Sequence, residues 1–420
     1  MPRNDALAII NALRNGVVPA RGLHHYAVGL DREMAVLRDQ LSEVAGGHSH
    51  IKGVRGPYGG GKTFIVSRLS EEALSRNFVV SHVTLNRDAI SLHLLERLYQ
   101  GIMQNLRVRG TEGGALPYLL DRWLDDAEEH VIEVQGIPEH LEGALREAVG
   151  RRINDLLGDI ARERPSFSAA LNAYYEAHLK RDHARKRQIV GWLMADAHAS
   201  GRDIPGLRGK VERTDALSYL KEFVRMTRHI GRSGLVVVLD ELDEMRKLRR
   251  NFRESAWANL RDLVDQVGCG VPGLYLVLAG TPDVYDGSRG FLELAPLAQR
   301  FEEPTLNSAH PNLRGPQLPL PRFGEAQLVQ VMERLRDIWQ IAYDQRSRLP
   351  DDFPQRLARG WAQKLGDRSP RITIREFVGV LDRLRDYPDF DPAHDYAFEL
   401  QDLELTPEER GAEDVQPEEF

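Results

Sequence analysis

The hydrophobic positions of this 420-residue chain follow two kinds of pattern. The first kind is a short, continuous apolar run, rich in valine, isoleucine and leucine and bounded by polar residues or glycine. Such a run is typical of a strand that is buried on both faces of a parallel sheet. Five runs of this kind predict five strands, over residues 51–54, 78–85, 235–239, 274–279 and 318–320.

The second kind of pattern repeats apolar residues every three or four positions, which is the spacing of an amphipathic helix. It occurs near the N-terminus over residues 5–15 and again over residues 324–384. Residues 112–230 follow it almost throughout, and this block is longer than a connection between two strands requires. The combination predicts an α/β fold in which a parallel sheet is flanked by helices.

A glycine-rich segment directly after the first predicted strand carries the clearest chemistry. It reads Gly56-Pro57-Tyr58-Gly59-Gly60-Gly61-Lys62-Thr63 and fits the pattern G-x-x-x-x-G-K-[ST]. Glycines at this spacing let backbone N–H groups turn inward around phosphates, and a helix that begins near Phe64 presents its N-terminus to them. Lysine then reaches the β- and γ-phosphates, and the threonine hydroxyl binds Mg²⁺. Residues 56–64 are therefore predicted to bind ATP.

A second, acidic motif supports the first. The strand predicted over residues 235–239 ends in Asp240-Glu241, at the carboxyl edge where ligands bind in open α/β sheets. This is the Walker B pattern, in which Asp240 would hold Mg²⁺ and Glu241 would polarise the attacking water. Asp243 and Glu244 follow, and we interpret them as weaker candidates that are solvated at the start of a helix. The two motifs together predict an ATPase that uses ATP and Mg²⁺.

The spacing of the two motifs also predicts how the chain is divided. The long helical block lies between them, so we interpret it as an insertion in a P-loop ATPase core, and the last helices as a lid over the nucleotide. The predicted parts are an N-terminal helix with the first half of the core (1–111), the helical insertion (112–230), the second half of the core (231–322), the helical lid (323–385) and an acidic tail (386–420).

Charge and composition favour a cytoplasmic protein. The net charge is −7, but residues 386–420 contain 13 acidic residues and one basic residue, so the rest of the chain is mildly basic. No apolar run is long enough to span a bilayer, and the N-terminus lacks the apolar segment of a secretory signal. A single cysteine, Cys269, excludes an intrachain disulfide. The acidic end is predicted to be largely disordered.

The order of these elements resembles that of AAA+ ATPases of the type found in origin-binding proteins and transposition ATPases. The resemblance implies roles for four further residues. Thr281 matches the first sensor, where the family more often has asparagine, and Asn86 matches a residue that switches the catalytic glutamate. Arg300 matches the arginine finger, which acts on the nucleotide of a neighbouring subunit and implies a homo-oligomer. Arg371 matches the second sensor, in the lid.

Three further segments extend a resemblance over nearly the whole chain. They are residues 12–19 (ALRNGVVP), 53–64 (GVRGPYGGGKTF) and 370–378 (PRITIREFV). In these segments the chain is similar to the BREX-type ATP-binding proteins of bacterial phage defence, which are P-loop proteins with a helical insertion. The resemblance implies an antiviral role beside helicase-like or modification partners.

Two functions remain open at this point. One is an ATPase that hydrolyses ATP between subunits and drives a defence complex on DNA. The other is a non-motor nucleotide switch, in which a lid closes on ATP and gates a partner protein. Two basic segments, residues 246–253 and 180–187, are candidates for direct contact with DNA. We favour the second segment, because the first fits a solvated helix face.

Overall fold

A computed structural model describes the chain over residues 1–396, apart from positions 112, 208, 305, 307, 308, 322 and 366–369. Most of the predicted acidic tail, residues 397–420, therefore lies outside the described residues. A sheet of six strands forms the centre of the fold. The strands are β1 (His50–Arg55), β2 (Val79–Thr84), β3 (Leu106–Arg107), β4 (Leu235–Asp240), β5 (Leu274–Gly280) and β6 (Gln317–Pro319).

Helices flank this sheet and extend the chain beyond it. Within the described residues, the α-helices are α1 (Arg3–Arg14), α2 (Asp31–Ala45), α3 (Lys62–Ser75), α4 (Leu95–Gln104), α5 (Leu116–Gln135), α6 (Glu142–Glu163), α7 (Pro165–Leu179), α8 (His183–Leu193), α9 (Arg213–His229), α10 (Asp243–Arg246), α11 (Arg250–Gly268), α12 (Pro282–Asp286), α13 (Ala295–Phe301), α14 (Glu325–Tyr343), α15 (Phe353–Leu365) and α16 (Pro370–Asp386).

The strands lie in the order β3-β2-β4-β5-β1-β6. Every neighbouring pair is parallel except β2 and β3, which are antiparallel. All residues of β4 and β5 are buried, which explains why their sequences are continuously apolar rather than alternating. The five predicted strands are present, and the predicted α/β fold with a parallel sheet flanked by helices is confirmed. The short edge strand β3 was not predicted.

The helices between β3 and β4 form a layered extension of the core. Helices α5 to α8 pack on one another in sequence order, and α9 returns the chain to α4 beside the sheet. Their apolar side chains are continuous with one face of the sheet in a single cluster, which includes Trp123, Tyr219 and Val237. The opposite face of the sheet is covered by α2 and α3.

A separate apolar cluster joins the two ends of the described chain. Helix α1 buries Ala6, Ile9 and Ile10 against α14 and α16. No strand residue of the described chain belongs to this cluster. The N-terminal helix therefore packs on the C-terminal helices and not on the sheet, although the sequence placed it before the first strand.

Candidate functional site

The loop between β1 and α3 forms a tight cradle at the carboxyl edge of the sheet. Gly61, at the start of α3, has a left-handed backbone with φ of 86°, and a Cβ on Gly60 would lie 2.9 Å from the ring of Pro57. Glycine is needed at both positions for these reasons. The loop is anchored by the amide of Gly56, which donates to the carbonyl oxygen of Gly280 at 3.3 Å. This arrangement suits a bound phosphate at the N-terminus of α3.

Lys62 lies within the cradle and is only 8% exposed. Its Nζ donates to the carbonyl oxygens of Gly56 at 3.1 Å and Pro57 at 2.9 Å, and lies 5.2 Å from the ring centroid of Tyr58. Burial lowers the pKa of Lys62, and the nearby carboxylates after β4 oppose that effect. A phosphate oxygen would be a stronger, charge-assisted acceptor than these two carbonyls.

The end of β4 brings a buried carboxylate to the loop. Asp240 is 2% exposed, and Nε2 of His82 on β2 lies 3.4 Å from its Oδ2. Burial acts to raise the pKa of Asp240, but hydrogen bonds with His82, the Thr63 hydroxyl and the Glu241 amide hold it below its ordinary value. An ionised carboxylate beside a hydroxyl offers the hard oxygen ligands that Mg²⁺ prefers. His82 was missed from the sequence, where a histidine within an apolar strand was the only signal.

Glu241 has an unusual backbone. Its φ of 60° places a non-glycine residue in the left-handed region, which costs on the order of 1–3 kcal/mol and is concentrated at functional sites. Burial, followed by the charge of Asp240, raises the pKa of Glu241. The turn at this residue ends β4 and leaves the carboxyl group on the wall of a cavity that also contains Lys62.

The prediction that Asp243 and Glu244 are solvated is wrong for Asp243, whereas Glu244 is half-buried. Asp243 is 1% exposed, and it accepts hydrogen bonds from the backbone amide of Thr281 at 3.0 Å and from its hydroxyl. Glu244 pairs with Lys247 at 2.6 Å and with Arg87 at 3.2 Å. The physical reason is that α10 packs on α12, the helix that follows β5. This packing turns Asp243, the first residue of α10, toward protein and not toward water.

The cavity beside these residues has a volume of about 700 Å³. One end is polar and is lined by residues 58–64 and Glu241. Arg371, an exposed residue at the start of α16, lies on the wall of this cavity. Phe64 contacts Tyr26, with 5.4 Å between their ring centroids. The other end is apolar, and its lining side chains include Val17, Val18, Tyr26, Val28, Leu30, Phe323, Val331 and Ile374.

The remaining predicted site residues do not line this cavity. Arg300, on α13, is exposed and pairs with Asp265 on α11. Asn86 accepts through Oδ1 from the amide of Ala89 at 2.6 Å and from those of residues 88 and 90, so it closes the loop after β2. Thr281 is buried against Asp243. In this structure all three side chains bond within their own chain.

The sheet order defines the class of protein. Strand β5 lies between β1, which carries the phosphate loop, and β4, which carries Asp240 and Glu241. With the C-terminal helices lining the cavity beside the loop, this makes the chain a P-loop ATP-binding protein with a strand inserted between its two motif strands. The chain belongs to the family of BREX system ATP-binding proteins, BrxC/D, which it matches over residues 1–400. It is thus an ATP-binding component of the BREX phage-defence system.

Other comparisons add a structural neighbour. The chain is similar to the solved structure of the ORC2 protein of Aeropyrum pernix in ADPNP–ADP complexes, with 16% sequence identity and a TM-score of 0.40. The match covers 85% of this chain and 63% of that chain, so this chain spans less than two thirds of its neighbour. No curated protein sequence matches it. None of the helices in the described residues is long and apolar enough to cross a membrane.

Proposed function

We propose that the chain binds Mg²⁺–ATP in this cavity and hydrolyses it. The observation that carries the proposal is the buried Asp240 carboxylate, which ends β4 at the carboxyl edge of the sheet beside the phosphate cradle. Thr63 and Asp240 would hold the metal, whose charge would stabilise the phosphate oxygens. Lys62 would leave its two carbonyl partners and bind the β- and γ-phosphates, while the glycine loop of residues 56–61 surrounds them.

The apolar end of the cavity supports a site for the base. Tyr26, Val28 and Ile374 offer a concave apolar wall there, which suits the flat ring of adenine. Arg371 lies on the same wall, so we assign it to the phosphates from the lid side. The nucleotide would thus lie between the sheet and the C-terminal helices.

Hydrolysis requires a group that orients water. Glu241 is the proposed group, because it lines the same cavity as Lys62 and its raised pKa makes it a better proton acceptor than an ordinary carboxylate. Thr281 and Asn86 would act indirectly, by positioning other groups near the site. Thr281 holds the Asp243 carboxylate, and Asn86 holds the loop after β2.

A second copy of the chain would complete the site. Arg300 is exposed on α13 and does not line the cavity of its own chain, so we assign it to the nucleotide of a neighbouring copy. Its bond to Asp265 would have to open on assembly, which an exposed ion pair allows at low energy. We therefore propose a homo-oligomer in the cytoplasm, where ATP and Mg²⁺ are available, acting with other defence proteins such as a helicase.

Contact with DNA is proposed for the turn between α7 and α8 together with the start of α8. Arg181, His183 and Arg187 are exposed there. The basic segment of residues 246–253 is less suitable, since Arg253 is buried in an ion pair with Glu293 and Arg246 pairs with Asp283. Contacts from the α7–α8 turn would be to phosphates, which supply affinity without sequence readout.

A nucleotide switch is the second candidate function. It is favoured by the position of Arg371 and Ile374, which couple the cavity to the lid directly. A motor predicts turnover that rises with added DNA and with assembly. A switch predicts slow turnover that responds to neither.

One experiment tests the proposed function. Glu241→Gln should keep ATP affinity close to wild type and stall hydrolysis, because the metal and phosphate ligands remain. Lys62→Ala should lose about 2–5 kcal/mol of binding, as expected when one partner of a buried charge pair is removed. Lys247→Ala is the control, because Lys247 also lines the cavity but is already paired with Glu244. Wild-type ATP affinity in Lys62→Ala would contradict the proposal.

A further inference from the structure

The end of α1 is fixed to α16 by a hydrogen-bonded ion pair. Arg14, the last residue of α1, donates from Nε to Oδ2 of Asp382 at 2.7 Å and from Nη2 to Oδ1 at 3.0 Å. A two-point contact of this kind sets the orientation of the partners as well as their distance. The two residues are 368 positions apart in the sequence.

Two aromatic side chains of α14 join the same cluster. Trp339 donates from Nε1 to Oδ1 of Asp382 at 3.1 Å, and the hydroxyl of Tyr343 accepts from Nη2 of Arg14 at 2.6 Å. The hydrogen bond to Asp382 raises the pKa of Arg14, so the guanidinium stays charged. Three helices therefore meet at one polar cluster, in addition to their shared apolar core.

The chain enters the nucleotide cavity directly after this cluster. The amide of Gly16 donates to the carbonyl of Leu13, and that of Val17 to the carbonyl of Ala12, both at 2.9 Å, which ends α1. Gly16 has φ of 67°, so the turn needs glycine. Gly16, Val17 and Val18 then line the apolar end of the cavity, where Val17 is 58% exposed.

Helix α16 reaches the same cavity from the lid. Arg371 and Ile374, near its start, line the wall. Asp382 follows Arg371 by eleven residues, which is roughly 16 Å along a helix. Arg371 and Asp382, the partner of Arg14, therefore lie on one uninterrupted helix. Movement of Arg371 toward the phosphates would carry Val17 with it.

We propose that Arg14 and Asp382 are positioning residues: their ion pair fixes residues 16–18 to the lid, so that these residues move with it. Base contact by Val17 and phosphate contact by Arg371 then occur in the same closure. This inference rests on the proposed nucleotide site. It adds to that site a requirement that the phosphate loop does not impose: residues 16–18, which form part of the wall for the base, are held by the lid.

The test compares two ligands, ATP and tripolyphosphate, because the second presents phosphates without a base. Both are titrated calorimetrically, with Mg²⁺, into the full chain. Arg14→Gln should weaken ATP binding about tenfold, while the Kd for tripolyphosphate changes by less than about twofold. A general loss of folded protein would weaken the binding of both ligands alike.

Two further variants make the test decisive. Asp382→Asn removes the charge from the other partner with nearly the same shape and should reproduce the Arg14→Gln result. Arg3→Gln is the matched control, because Arg3 also joins α1 to the lid, through the carbonyl of Ala342 on α14 at 3.0 Å. It should leave both affinities unchanged.

The proposal is overturned by unchanged ATP affinity in both pair variants, by equal loss for the two ligands, or by an equal effect of Arg3→Gln. Failure of both pair variants to fold would also overturn it, since the pair would then act in stability. A wild-type protein that binds neither ligand would instead contradict the proposed function.

Discussion

The two ends of the cavity are built in different ways. The phosphate end is lined by residues 58–64 and Glu241, at the carboxyl edges of parallel strands two positions apart in the sheet. Its key groups are buried, with Lys62 at 8% and Asp240 at 2% exposure. The base end comes from helices and loops near both ends of the chain, and it leaves apolar side chains such as Val17 58% exposed.

This difference indicates that the two ends have different functions. Groups that stabilise charge in a reaction work best when they are fixed before the substrate arrives, and the sheet edge provides that. The base end is built largely on an apolar cluster that contains no strand residue of the described chain, and Phe64 of the phosphate loop packs against that cluster. Substitutions at the phosphate end should therefore change turnover, and those at the base end should change affinity and base selectivity.

The largest effect is expected at Arg300, where the proposed function places a contact with the nucleotide of a second copy of the chain. Arg300→Ala should lower turnover by roughly 10³–10⁵, as for arginine fingers in general, and leave ATP binding nearly intact. Arg261→Ala is the matched control, because Arg261 lies on α11 and shares the carboxylate of Asp265 with Arg300. Its turnover, measured as phosphate release, should match wild type.

Mixing experiments extend this prediction. Arg300→Ala protein mixed with Lys62→Ala protein should recover part of the activity, because one supplies the intact nucleotide site and the other the intact arginine. Turnover per subunit that stays constant down to a proven monomer would remove Arg300 from this role. It would also favour the switch over the motor.

A smaller effect is expected at Thr281, which does not line the cavity but hydrogen-bonds to the buried Asp243. Thr281→Val keeps the shape of the side chain but removes the donor to the buried Asp243, so we expect a loss of about 1–3 kcal/mol in the free energy of unfolding. Urea denaturation measures this change, and Thr281→Ser should largely avoid it. A fall in turnover with unchanged stability would show instead that Thr281 acts on the nucleotide and not through Asp243.

The sequence predicted the sheet well because its strands are buried on both faces. A continuous apolar run such as that of β4 has few other interpretations when an acidic pair follows it. The edge strand β3 has only two residues, Leu106 and Arg107, so no periodicity could reveal it. The phosphate loop is likewise readable, because its chemistry depends on local spacing.

The parts that the sequence did not predict depend on contacts between distant residues. The pairing of Arg14 with Asp382 spans 368 positions, and nothing in the local pattern around either residue indicates it. Asp243 looked solvated because two carboxylates at a helix start normally face water. Its burial follows from the packing of α10 beside Thr281, which only the tertiary fold determines.

The smallest effect is expected at the base end, and it separates the two ends most directly. Val17→Ala removes two methyl groups from the exposed wall, which should weaken ATP binding by about 1 kcal/mol, or about fivefold in Kd. Tripolyphosphate binding should not change, because that ligand has no base to cover the wall. Val134→Ala is the control, since Val134 is 67% exposed on α5 and does not line the cavity. If calorimetry shows an equal loss for both ligands, Val17 supports the phosphate end, and the two ends are not independent.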